Sequence, residues 1–97
     1  MTIKATTWLY VAVQKNGARE KIVGQTDTEN DISYIPAFLS KESAQQAMFH
    51  MHLEKKKKYE VQAIIYEDLA NHAVEGGFVI FVLDDDGNVL ERLPNSE

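Results

Sequence analysis

Residues 40–66 read SKESAQQAMFHMHLEKKKKYEVQAIIY, and the spacing of their apolar residues changes partway along. Ser40 is an N-cap residue type, because its hydroxyl satisfies an orphan N–H of the first helical turn. Glu42 places negative charge where the helix dipole favours it. Ala44, Ala47, Met48 and Met51 then fall on one stripe at about 100° per residue. This spacing predicts a long helix from Lys41 to about Lys56. After the lysine run the pattern alternates, so that Tyr59, Val61, Ala63 and Ile65 share one face of a strand over Tyr59–Tyr66. A helix followed directly by a half-buried strand points to an α+β fold.

Upstream, TTWLYVAVQ (Thr6–Gln14) is rich in β-branched and aromatic residues and reads as a strand. Asn16-Gly17 follows and predicts a type I′ hairpin, in which Lys15 faces Ala18, Val13 faces Glu20 and Val11 faces Ile22. The return strand is expected from Arg19 to about Gln25. Thr26–Ser33 is polar and acidic and reads as a surface loop. Tyr34–Leu39 is apolar but contains Pro36, which has no N–H to give a ladder, so it reads as an edge strand or an extended lead-in.

Downstream, Glu67–Glu75 reads as a short helix with Leu69, Ala70 and Ala73 on its inner side, ended by Gly76-Gly77. Phe78–Leu83 is apolar at every position, as in a strand buried on both faces. Asp85-Asp86-Gly87-Asn88 is a second hairpin turn, Val89–Leu93 returns, and Pro94–Glu97 is a tail. The expected fold is a mixed, mostly antiparallel sheet of about five to six strands with one long and one short helix. Its order is β-β-(β)-α-β-α-β-β, in a single domain over residues 1–97.

Composition narrows the function classes. The 97 residues are 44% hydrophobic and include no cysteine, which fits a packed core and excludes disulfides, thiol nucleophiles and Cys-type zinc sites. The N-terminus lacks the build of a signal peptide and no apolar run approaches a membrane span, so a cytoplasmic protein with no membrane partner is expected. Four of the ten basic residues lie at Lys55–Lys58, leaving six against fifteen acids, a balance that repels nucleic acid over most of the surface.

No motif points to catalysis or to a cofactor. His50 and His52 are two residues apart, on different sides of a helix, and no His-x-x-x-His is present, so no metal site is expected. Placing Gly87 at position 6 of a calcium loop puts Val82 and Leu93 where acids are required, so LDDDGN is a hairpin tip. No phosphate loop or nucleophile elbow occurs. Lys55–Lys58 reads as a solvated run complementing a helix C-terminus, with anion binding as the alternative.

The stronger signal is Phe49 and Leu53, an i,i+4 pair lying well away from the first apolar stripe. The helix is therefore apolar on two sides. The second side is covered either by another part of the chain or by another chain. The stretch IPAFLSKESAQQA (Ile35–Ala47), between the strand WLYVAV and a later strand, short helix and final hairpin, resembles the N-terminal domain of SseB-like bacterial proteins. The resemblance rests on Ile35, Pro36, Phe38, Ser40, Glu42 and Ala44. It implies a small α+β module linked by name to secretion, with no catalytic site to carry over. The expected function is a non-enzymatic domain acting by protein–protein contact, as an adaptor or a homodimer. Its expected contact residues are Phe49, Leu53, His52 and Lys56, with polar help from Glu67-Asp68 and from Asp27, Glu29 and Asp31. The alternative is a small-molecule or anion-binding domain using Lys55, Lys56, Lys57 and Lys58.

Overall fold

Strand β1 (Trp8–Asn16) buries Leu9, Val11 and Val13 on one face of the sheet and Ala12 on the other. A computed structural model of the chain describes residues 3–51 and 53–93. The expected tail Pro94–Glu97 lies outside the described residues. One flank of β1 pairs antiparallel with β5 (Lys58–Ile65) along its length, from Trp8↔Ile65 to Lys15↔Lys58. The other flank is shared. β2 (Arg19–Ile22) pairs with its C-terminal half, and β4 (Ile32–Phe38) touches it only at Tyr10↔Phe38 and Val11↔Ala37. β1 and β4 therefore diverge, and the gap is filled by the chain that follows β2. After Val23 and Gly24 it continues as β3 (Gln25–Asp27), which pairs with the N-terminal half of β4.

Beyond β4 lie β6 (Val79–Leu83), parallel to it, and β7 (Val89–Leu93), antiparallel to β6. Among the described residues the order is β-β-β-β-α-β-α-β-β, with helices α1 (Lys41–Met48) and α2 (Tyr66–Gly76). The fold is α+β with a mixed, mostly antiparallel sheet of seven strands. The strand beyond expectation is β3, within the segment read as an acidic loop; only residues 28–31 turn there.

Directly opposed residues share a face. On one face Leu9, Val11, Val13, Ile35, Ala37, Ile80, Val82 and Leu93 pack under Leu69 and Ala73 of α2. On the other, Phe38 packs with Ala44 and Ala47 of α1, flanked by Tyr10, Val61 and Leu83. Ten buried residues in the first cluster against three in the second place most of the hydrophobic stabilisation under α2. The layer under α1 is thin, and that is where apolar surface remains open.

Three expectations are corrected. The first hairpin turns at Gly17-Ala18, so Asn16 faces Arg19, Lys15 faces Glu20 and Val13 faces Ile22. Gly17 takes φ +65° at the first central position, as a type II′ turn requires. This register matches apolar Val13 with apolar Ile22, whereas the expected one opposed Val13 with Glu20. Second, Pro36 is interior. Its flank facing β1 and β3 has no assigned partner at Ile35 or Pro36, because β3 ends its pairing at Tyr34 and β1 begins at Ala37. A missing N–H is tolerated at such a break. Third, α1 stops at Met48, not near Lys56. Phe49, His50 and Met51 donate to the carbonyls three residues back, the tightening that commonly ends a helix.

The bend between β2 and β3 depends on a close approach. A Cβ on Gly24 would lie 2.6 Å from Cε1 of Phe78, and one on Gly76 would lie 2.7 Å from the opposite edge of the same ring. The ring lies between the two glycines, so a side chain at either would press on it. Gly24→Ala is therefore expected to destabilise the fold by about 1–3 kcal/mol, as overpacking does. Urea denaturation measures this. Adding Phe78→Leu should recover part of the loss, and a Gly24→Ala variant as stable as the parent would contradict the clamp.

Candidate functional site

The candidate site forms where α1 ends beside β5. Ser40 caps α1 as expected: its Oγ accepts the Ser43 N–H at 3.1 Å, and Glu42 lies in the first turn. The Ser43 hydroxyl in turn bonds the Asp85 carboxylate at the tip of the β6–β7 hairpin. At the other end the chain leaves the helix at Phe49 and descends over the sheet. Met51 and Leu53 become half-buried, and the Glu54 N–H donates to the Tyr59 hydroxyl at 2.9 Å.

Phe49 and Leu53 are thus not an i,i+4 pair on one helix. Phe49 stands at the helix end, 84% exposed, and Leu53 lies in the loop that follows. Both nevertheless line one open groove of about 870 Å³. Lys41, Gln45 and Met48 form its helix side; Tyr59, Glu60 and Val61 form its strand side. Consecutive strand residues point to opposite faces. A groove lined by three in a row therefore opens onto the backbone edge of β5. Among the described residues β5 pairs with β1 alone, so this edge carries unpaired N–H and C=O groups.

His52 lies outside the described residues. Lys55–Lys58 are all exposed, just before and at the start of β5. They do not cap a helix C-terminus, because α1 ends well before them and has no basic residue in its last turn. None makes an ion pair among the described residues. Glu67 and Asp68 are exposed in the first turn of α2, at the opposite end of β5. Asp27, Glu29 and Asp31 lie apart, around the β3–β4 turn, and do not line the groove.

On the sheet face opposite α1, Lys15 of β1 pairs with Glu60 of β5 at 3.1 Å and with Glu20 of β2 at 3.5 Å. The side-chain amide of Gln62 donates to both carboxylates. That hydrogen bond, and then Lys15, holds the Glu60 carboxyl below its usual range, while the bond to Glu60 chiefly raises Lys15. The other acidic clusters serve turns. Asp84 accepts from the backbone N–H groups of Asp86 at 2.9 Å and Asn88 at 2.8 Å, bonds that hold its carboxyl low. Asp27 is held low chiefly by the Asn30 side-chain amide at 2.9 Å. His50 and His72 are exposed, and no group of three His, Asp or Glu residues among those described could hold a metal ion. No described helix is long and apolar enough to cross a membrane.

The sequence pattern singled out Phe49 and Leu53 but missed Tyr59, Val61 and Gln45 beside them. Alternation had placed Tyr59 and Val61 on one face, which was the available signal. No protein-family model, no curated protein and no solved structure matches the chain.

The lowered Glu60 gives a pH dependence of definite sign. A carboxyl that is more acidic folded than unfolded adds stability above its unfolded value, here about 4.5, and loses it as pH falls through the folded value. Glu60→Gln is expected to lower the melting temperature above that pH and to converge with the parent as pH falls, so that the acid limb flattens. Thermal melts across the acid range check this. An unchanged acid limb would remove Glu60 from the account.

Proposed function

We propose that the protein is a non-enzymatic domain that works by protein–protein contact, with the groove between α1 and β5 as the contact surface. The observation that carries this reading is Phe49, a large apolar side chain 84% exposed at the rim of that groove. Fully burying a phenylalanine is worth about 1.5–3 kcal/mol, which a partner seated in the groove would recover. Leu53 supplies apolar surface within the groove, and Lys56 stands exposed just before β5. The open shape suits a chain segment laid along it better than an enclosed small molecule. Adaptor and homodimer are both forms of this reading, and a cytoplasmic setting is consistent with it.

Phe49→Asp tests the proposal. As a surface change it is expected to shift the melting temperature by no more than about 3 °C. Association should nevertheless weaken, read as self-association by sedimentation velocity and as adduct yield when a photo-crosslinker at position 53 is used in cell extract. A variant that unfolds would place Phe49 in the core. A folded variant that associates as well as the parent by both readouts would remove the groove as the contact surface.

A further inference from the structure

We infer that the open edge of β5 is taken by β5 of a second copy of this chain, running antiparallel, with Lys55–Lys57 of each copy meeting Glu67 and Asp68 of the other. This rests on the contact reading above and names its partner.

The unpaired edge fixes the chemistry of its occupant. A row of free N–H and C=O groups is satisfied in full by another extended backbone. β5 offers eight residues, about 26 Å of regular strand, in unbroken register with β1. The charges at its ends then select among possible strands. Immediately before β5 come Lys55, Lys56 and Lys57; immediately after it, in the first turn of α2, come Glu67 and Asp68. All five are exposed, and none has an ion-pair partner among the described residues.

Antiparallel pairing of two identical strands brings the start of each beside the end of the other. With Gln62 on the two-fold axis, Val61 opposes Ala63 of the second copy and Tyr59 opposes its Ile65. These are all residues of the face that carries α1, so the two sheets join with like faces together. In the same register Lys58 comes opposite Tyr66 of the other copy, which sets the turn carrying Lys55–Lys57 beside the first turn of α2, with Glu67 and Asp68, in that copy. Symmetry repeats the match at the other end. A parallel pairing would set lysine against lysine and acid against acid. The join also brings both α1 helices to one face, each with Phe49 at its exposed end.

The charges make a direct test with the full chain. One variant carries Lys55→Glu, Lys56→Glu and Lys57→Glu and is acidic at both ends of β5. The other carries Glu67→Lys and Asp68→Lys and is basic at both ends. In sedimentation velocity the parent is expected to dimerise, more weakly at high salt. Each variant alone should dimerise at least ten-fold more weakly, and an equimolar mixture should form a heterodimer near the parent's affinity. Hydrogen exchange on the parent should show β5 amides gaining protection as concentration rises. A parent that stays monomeric at all concentrations overturns the inference, as does a mixture that fails to associate while both variants remain folded. If the parent dimerises and Phe49→Asp abolishes the dimer while both charge variants dimerise normally, strand pairing is wrong but the groove reading stands. If the parent dimerises as described and Phe49→Asp has no effect, the edge is right and the groove reading fails.

Discussion

β1 is paired on both flanks, but by different kinds of partner, and the rest of the sheet follows from that asymmetry. On one side β5 accompanies it for eight residues. On the other, β4 meets it only at Tyr10 and Val11 before the two strands part. Backbone groups exposed inside that fork would go unbonded, at a cost comparable to a lost hydrogen bond each. The chain closes the fork with a single bent segment: β2 bonds β1, Val23 reaches back to the Ala12 carbonyl at 2.9 Å, and β3 bonds β4. The bend must pass close to Phe78 just before β6. Position 24 therefore has no room for a side chain, and the ring is seated between Gly24 and Gly76.

Features set within one turn of chain were legible in the sequence. Ser40 and Glu42 mark the start of α1, and Gly76-Gly77 its counterpart at the end of α2, because caps depend on neighbours two to four residues away. Features set by distant neighbours were not. Nothing in MFHMHLE breaks a helix, yet α1 stops at Met48. The chain has to bring Lys58 alongside Lys15 to begin β5, and it half-buries Met51 and Leu53 on the way. Tertiary burial there outweighs helix propensity. Asn16-Gly17 is a strong hairpin signal, but the turn moved one residue along so that Val13 could oppose Ile22. Pro36 excludes an interior strand only if both flanks of that strand are continuously bonded, and β4 has a break at that point.

The candidate site divides along the same line. Phe49 was recognisable from the sequence as an apolar residue on the wrong side of a helix, although the helix ends beneath it. The groove it borders was not recognisable, because one wall is a strand edge. Which strand lies at an edge depends on the order of the whole sheet, and the alternation of β5 does not reveal it. Lys55–Lys58 changed meaning for the same reason. On a helix C-terminus they would complement a dipole. Here Lys55–Lys57 form the turn before β5 and Lys58 begins the strand.

β5 and β7, each bonded to one neighbour among the described residues, are protected very differently. β7 has five residues, and its register against β6 is irregular at Val82/Leu83, a distortion of the kind that discourages a further strand. β5 is longer, regular and free of proline and bulges; it carries Lys58 and Glu60 within it, and further charges stand just beyond its two ends. Guards of one sign at both ends would repel any copy of the chain in either direction. Guards of opposite sign repel a parallel copy and attract an antiparallel one. The charges around β5 are of opposite sign, lysines before it and acids after it.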